Sequence, residues 1–267
     1  MTDTVLSTKD LSAGYGQSAI IRDLTLDIPK GQFTALLGPN GCGKSTLLRT
    51  LAGLHMPLSG SVTLNNRPLG AFGAKERARQ IAILAQNAQA PDGLTVHDLV
   101  SQGRYPHRSL LGGWRAEDTA QVDAALDLTQ MTALRDHPLD HLSGGQQQRA
   151  WIAMTLAQQG QVLLLDEPTS FLDLSHQIEV LDLVRGLIDV KGVSVVAVLH
   201  DLNQAARYAD HLVLLKDGAV QALGPPTHVL TPDRVAEVFG VKVRVIQDPE
   251  TDTPLCIPKR FQTGPSH

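Results

Sequence analysis

With 267 residues, 42% of them hydrophobic and 19% charged, the chain has ordinary globular composition and enough length to bury a sizeable core, as one large domain or two small ones. A formal net charge of −4 with no long basic block argues against non-specific nucleic-acid binding. Cys42 and Cys256 make no disulfide framework and fit a reducing compartment.

Met1-Thr2-Asp3-Thr4 shows no basic stretch followed by an apolar run, so no signal peptide is evident. The longest apolar stretches, such as Val193–Leu199 and Val162–Leu165, fall far short of a membrane span, so a soluble protein is expected, with any membrane role coming through a partner. Residues 5–30 alternate short apolar runs with turns, as in Leu11–Gly16 and Leu24–Pro29, which predicts antiparallel strands. Phe33–Leu37 then reads as a short buried strand, and Leu47, Leu48, Leu51 and Leu54 as one face of a helix.

Between that strand and that helix lies Gly38-Pro39-Asn40-Gly41-Cys42-Gly43-Lys44-Ser45, the phosphate-loop pattern G-x-x-x-x-G-K-[ST]. Its glycines let backbone N–H groups at a helix N-terminus curve around phosphate oxygens. Lys44 is placed to charge-pair with the β/γ-phosphates and Ser45 to offer its hydroxyl to Mg2+. A glycine-rich surface turn is the plainer reading, but it leaves the full pattern and both flanks unexplained; the chain is expected to bind a nucleoside triphosphate. Cys42 inside the loop serves as a small filler. Its place at a helix N-terminus would lower the thiol pKa and make it sensitive to oxidation.

Further on, a strand is predicted at Ser61–Leu64, closed by the turn pair Asn65-Asn66. From about Thr95 to Gln159 the pattern is helical, broken by an irregular stretch from Gly103 to Gly113. Strand-like runs return at Val162–Leu165, Ser194–Leu199 and Leu212–Leu215, separated by helical segments, which indicates a parallel sheet covered by helices. Val241–Ile246 and Leu255–Ile257 flank a turn-rich segment and predict a terminal hairpin, followed by a loose tail.

Two more segments carry chemistry. Val162–Leu165 runs directly into Asp166-Glu167, and a buried strand ending in an acidic pair beside a phosphate loop suits metal-assisted phosphoryl transfer. Asp166 would hold Mg2+ through water, and Glu167 would orient and deprotonate the attacking water. In Leu142-Ser143-Gly144-Gly145-Gln146, Ser143 can cap a helix with Gln146 as its capping-box partner, making a second anion-seeking helix end. A well-capped helix alone does not account for the paired glycines.

On these residues the chain resembles the ATP-binding subunits of ABC transporters, from about residue 5 to about 240. Gly38–Thr46 (Gly38, Pro39, Asn40, Gly41, Cys42, Gly43, Lys44, Ser45, Thr46) matches Walker A, Val162–Glu167 matches Walker B, and Leu142–Gln146 matches the signature that sets this family apart. Tyr15 matches the aromatic that stacks on adenine, Gln86 the Q-loop glutamine, Ser170-Phe171-Leu172-Asp173 the D-loop, and His200 the switch histidine at the γ-phosphate. Phe171 departs from the small residue commoner in the D-loop. The resemblance implies an α/β fold: a P-loop NTPase (RecA-like) core with an antiparallel β subdomain and an inserted α-helical subdomain. The implied layout is an ATP-binding domain over 5–240, its helical part at about 90–158, and a C-terminal hairpin and tail over 241–267.

By the same resemblance the cofactors are ATP and Mg2+, with Ser45, Gln86 and Asp166 on the metal side and Lys44, Gln86, Glu167 and His200 catalytic. Two copies are implied to associate head to tail, each ATP lying between Lys44 of one and Ser143 of the other. Separate permease subunits are implied too, and indirectly a substrate-binding protein, but no nucleic acid; the place is the cytoplasmic face of the membrane. Gly103–His107, Leu199–Ala205 and the tail around Val243–Ile246 and Pro254–Pro258 are similar to importers of ferric siderophores, haem or cobalamin, and the iron chelate is favoured. Other solutes such as zinc, phosphonate or an amino acid remain open, as does a non-transport ABC ATPase. A phosphate-loop kinase would leave Leu142–Gln146 unexplained. The stretch from about Gln86 to Trp114 is expected to meet the permease, with Arg104, Tyr105, Arg108 and Trp114 suited to an interface, an exposed loop being the alternative.

Overall fold

The computed structural model describes residues 3–16, 18–86, 91, 93–109 and 113–260. Along the chain come β1 (Thr4–Tyr15), β2 (Ser18–Pro29), β3 (Phe33–Leu37), α1 (Lys44–Leu51), β4 (Ser59–Leu64), β5 (Arg67–Pro68), α2 (Ala74–Ala78) and β6 (Ile81–Leu84). Three helices follow, α3 (Val96–Gln102), α4 (Ala116–Leu128) and α5 (Gly144–Ala157). Then β7 (Val162–Asp166), α6 (Leu174–Lys191), β8 (Ser194–Val198), α7 (Leu202–Tyr208), β9 (His211–Lys216) and β10 (Ala219–Gly224) alternate. The short α8 (Pro226–Val229) and α9 (Pro232–Phe239) lead to β11 (Val243–Gln247) and β12 (Pro254–Pro258).

Strand pairing makes three sheets: β2-β1-β4-β5, β10-β9-β3-β8-β7-β6 and β11-β12. The first is antiparallel; in the second, β9, β3, β8, β7 and β6 run parallel and β10 closes one edge antiparallel. Every residue of β3, β7 and β8 is buried, as befits central strands covered on both faces. In β2, by contrast, Leu24, Leu26 and Ile28 are buried while Thr25 and Asp27 between them are exposed, the pattern of a sheet with one wet face. Asn65 and Asn66 both adopt positive φ, the turn geometry that lets β4 reverse into β5.

The two-residue period of the central sheet feeds two separate cores. Phe33, Ala35, Leu37, Leu163 and Leu165 point to the side covered by α6 and α7, while Leu36, Val162 and Leu164 point toward α1 and the antiparallel sheet. Leu47, Leu48 and Leu51 lie wholly in that second core. Leu54 does not join them: α1 stops at Leu51, Gly53 turns the chain with a φ of 67°, and Leu54 is 66% exposed. Helices α3, α4 and α5 build a third core of their own around Val96, Leu99, Val122, Leu126 and Ala153.

Arg104, expected at an interface, is instead 1% exposed. It donates to Asp118 Oδ1 at 2.9 Å, to the Ala157 carbonyl at 2.8 Å and to Gln159 Oε1 at 2.7 Å, fastening the irregular segment after α3 to the starts and ends of α4 and α5. Planar guanidinium donors can satisfy three acceptors at once, which is why a charge is tolerated there. Tyr105 and Trp114 do remain exposed. Residues 87–90, 92 and 110–112 of the expected permease-facing stretch, the tail from 261 to 267, and Met1 and Thr2 lie outside the described residues.

The β11–β12 hairpin is clamped onto α7. Asn203 Nδ2 donates to the Cys256 carbonyl at 3.2 Å and its Oδ1 accepts from the Cys256 N–H at 2.7 Å, while Arg207 pairs with Asp248 and Glu250. Among the described residues no helix is long and apolar enough to cross a membrane.

Arg104→Met leaves Asp118 buried without its cation and is expected to lower unfolding stability by about 3–5 kcal/mol. Tyr105→Ala, on the exposed neighbour, is expected to stay within about 0.5 kcal/mol of the parent. Urea midpoints of the two variants check the contrast; a small Arg104→Met shift would mean the ion pair holds nothing together.

Candidate active site

β3 delivers the chain to Gly38, and α1 begins at Lys44. Two glycines in between are required by space. A Cβ on Gly38 would lie 2.2 Å from the Leu215 carbonyl oxygen on β9, and one on Gly43 (φ 104°) would lie 2.5 Å from Ile21 Cδ1. Gly41, with φ 78°, has nothing within 4 Å of the same position and lies exposed beside Asn40, so the open side of the loop faces the groove. Lys44 is buried and donates to the carbonyls of Gly38 at 2.8 Å and Pro39 at 2.9 Å, which holds the loop curled around its own ammonium. Thr46 is buried behind it.

Cys42 is the buried filler that its place in the loop suggests, and the lowered thiol pKa weighed beside that reading is not found. Burial pushes its thiol pKa up, outweighing the attraction of Lys44, whose Nζ lies 3.9 Å from Sγ. Desolvation therefore wins over the helix N-terminus, and the thiol is an inert filler.

At the end of β7, Asp166 and Glu167 have opposite environments. Asp166 Oδ1 accepts from the Ser45 hydroxyl at 2.9 Å, while Oδ2 is buried with no hydrogen-bond partner. Burial is the largest influence on Asp166 and raises its pKa, only partly offset by Ser45 and Arg49. Glu167 also feels burial, but hydrogen bonds from Ser170 and His200, with the charge of His200 and a bond from Gln86, hold its carboxyl below the usual range. Its Oε2 accepts from Gln86 Nε2 at 2.7 Å and from Ser170 Oγ at 2.8 Å, and His200 Nε2 lies 2.8 Å from Oε1. The backbone of Glu167 sits at φ 55°, a left-handed conformation that a non-glycine residue keeps only where its surroundings over-determine it.

Lys44, Ser45, Gln86, Glu167 and His200 thus line one open groove of about 440 Å³, with Asn40, Gly41 and Ile20 on its rim. Asp166 sits directly behind Ser45. The orphaned carboxylate oxygen beside a hydroxyl is an all-oxygen donor set of the kind that suits Mg2+.

Other expected residues lie elsewhere. Tyr15 is 52% exposed at the end of β1, its ring centroid 4.9 Å from that of His55. Leu142 is buried in the helical core, and none of Leu142–Gln146 lines the groove. Ser143 caps α5 as expected: its Oγ accepts from the Gln146 N–H at 3.3 Å, and Gln146 Oε1 accepts from the Ser143 N–H at 3.0 Å. Ser143 and Gly144 are exposed, Gly145 is buried. Asp173 caps α6 by accepting from the His176 N–H at 3.0 Å, Leu172 is half-buried against the core, and Phe171 is 95% exposed. Sequence reasoning missed Ile20, His55 and the direct bond from Ser170 to Glu167. Ile20 reaches the groove from β2 and His55 meets Gly14 and Tyr15 from the loop after α1, contacts with no spacing signal, whereas the Ser170 bond spans only three residues within one loop.

The ABC transporter family profile matches residues 21–170. The chain belongs to that family. The ferric enterobactin transport ATP-binding protein FepC of Escherichia coli (strain K12) is 48% identical to it over 268 residues, covering 100% of this chain and 98% of that one. The petrobactin import ATP-binding protein FpuD of Bacillus anthracis is 50% identical over 253 residues, covering 95% and 93%. A solved structure described as an inward-facing, metal-chelate type ABC transporter superposes with a TM-score of 0.84 at 31% identity, covering 97% of this chain and 98% of that one. The family membership makes this chain an ATPase of the P-loop fold.

Glu167→Gln preserves the shape of the groove but removes the only carboxylate that Gln86, Ser170 and His200 share. ATP binding is expected to persist while steady-state ATPase falls by at least about 10²–10³-fold. Near-normal turnover of that variant in a phosphate-release assay would refute Glu167 as the catalytic base.

Proposed function

We propose that this chain is the ATP-hydrolysing subunit of an importer of ferric siderophores, working with Mg2+ as a homodimer beneath separate permease subunits on the cytoplasmic face of the membrane. The observation that carries the hydrolytic part is the convergence of Gln86, Ser170 and His200 on the Glu167 carboxylate beside Lys44. The two relatives that transport enterobactin and petrobactin support the solute class. Residues 5–240 form the ATP-binding unit in this reading, with about 90–158 as its helical part and 241–267 as an appended hairpin and tail.

Backbone N–H groups of Gly41, Cys42 and Gly43 and the Lys44 ammonium bind the phosphates, and Tyr15 stacks on the adenine. Ser45, Asp166 and Gln86 would hold Mg2+, which would supply charge neutralisation for the phosphates. Glu167 orients the attacking water and takes its proton as the new bond to the γ-phosphorus forms and the bond from that phosphorus to the β,γ-bridging oxygen breaks, ADP leaving with that oxygen; its carboxyl, held below the usual range, is ionised at neutral pH and ready to accept the proton. Ser170 and Gln86 fix the carboxylate's rotamer, and His200 faces the γ-phosphate.

Ser143 and Gly144 are supplied by the second copy. Their helix end is capped, exposed and away from this chain's own groove, so it is free to close the groove of a partner. Elsewhere on the surface, exposed Tyr105, Arg108 and Trp114 flank a groove with Asp98 and Gln102, which suits a permease helix; a substrate-binding protein acts only indirectly.

Ser143→Arg puts a bulky side chain where the partner's phosphate must dock and is expected to lower ATPase of the permease assembly at least about 10²-fold; undiminished hydrolysis would end the composite-site reading. For the solute, reconstituted assembly with its binding protein is expected to show ATP-dependent uptake of a ferric siderophore. Uptake of haem or cobalamin in its place would reassign the substrate.

A further inference from the structure

The two glycines of Leu142–Gln146 have different neighbours. A Cβ on Gly144 would meet only Leu172 Cδ2, at an ordinary 3.7 Å. One on Gly145 would lie 2.4 Å from His176 Cδ2 and 2.7 Å from His176 Cγ, so the imidazole lies flush against the backbone of the second glycine. That ring is held from the other side: its Nδ1 donates to Asp173 Oδ1 at 2.7 Å, the oxygen that also accepts the His176 N–H and, at 2.9 Å, the Ser175 hydroxyl. Asp173 ends the loop that brings Ser170 onto Glu167. The next residue, Gln177, accepts from Gln204 on α7, the helix that follows His200. Two of the three loops that reach the Glu167 carboxylate, those carrying Ser170 and His200, are therefore fastened to the first turn of α6, and His176 joins that turn to the start of α5.

We propose that His176 is a positioning residue: wedged between Asp173 and Gly145, it sets the α5 N-terminus according to the state of this chain's own Glu167 loop and so couples the two ATP sites of the dimer. The inference rests on the composite-site reading above. Glu167 serves the nucleotide in its own groove, whereas Ser143 and Gly144 serve the partner's; a rigid contact between their two supports makes each site sense the other.

The test is steady-state ATPase of the intact permease assembly carrying His176→Ala, Gly145→Ala, or both. His176→Ala is expected to lower kcat about 5- to 20-fold and to reduce cooperativity in ATP, with KM within about twofold of the parent. The side chain is about one-third exposed, 36%, so the melting temperature is expected to be unchanged. Gly145→Ala must push the ring off its seat and is expected to reproduce the same loss, and the double variant to be no worse than either single one, because both break one contact. Additive losses, a parental kcat and cooperativity in His176→Ala, or a kcat loss matched by a lower melting temperature would overturn the proposal. Ser143→Arg run alongside separates the two readings. If it leaves ATPase intact, the composite site itself is wrong; if it abolishes ATPase while His176→Ala does nothing, only the coupling role falls.

Discussion

The Glu167 carboxylate is the point on which the rest of the structure turns. Three loops leave the carboxyl ends of the neighbouring parallel strands β6, β7 and β8, and each sends one polar side chain to it. Parallel strands place such loops along one edge of the sheet, which is why sites in open α/β folds gather there. Three donors on one partly buried anion more than offset its desolvation, and they also retain a left-handed backbone at Glu167 that costs of order 1–3 kcal/mol. Loss of any one of the three donors acts on this same carboxylate.

Adjacent positions on one strand end have been given opposite chemistry by their surroundings alone. Asp166, the last residue of β7, points behind the phosphate loop into a space where one oxygen has Ser45 and the other has nothing, and burial raises its pKa. Glu167, one residue on, turns outward to three donors. A raised carboxyl with an orphaned oxygen gains by meeting a cation; a lowered one is available as a base. The alternation of side chains across a strand end, followed by a left-handed turn, is enough to separate the two roles.

Around this site the architecture consists of fastenings between parts with separate cores. The helical layer has its own apolar interior, and Arg104 locks its irregular segment to α4 and α5. The terminal hairpin grips α7 through Asn203, just after His200. His176 sits between the start of α5 and the loop after Glu167. Arg104 and Asn203 are polar side chains satisfied on several sides and so fix orientation as well as distance, while His176 bonds Asp173 on one side and packs its ring carbons on Gly145 on the other. In the proposed dimer such contacts, and not the cores, would carry the state of one nucleotide toward the other.

The phosphate loop, the acidic strand end and the α5 cap were legible in the chain because each is a local pattern: glycines at fixed spacing, an apolar run ending in carboxylates, a serine three residues before a glutamine. The buried strands were legible for the same reason, their apolar runs being continuous over the residues that pair. What the sequence left undecided depended on which neighbour the fold supplied. Arg104 reads as a surface cation until Asp118, Ala157 and Gln159 surround it. Whether the helix N-terminus or burial governs the Cys42 thiol is settled only by the packing that desolvates it, and Leu54 reads as a core residue until Gly53 turns the chain away. Gly144 and Gly145 look equivalent in the motif, and only the approach of His176 from thirty-odd positions along the chain makes one open and the other filled. Local spacing fixes backbone conformation and the type of chemistry available; desolvation, partner choice and close approach belong to residues distant in sequence, and these only tertiary packing assigns.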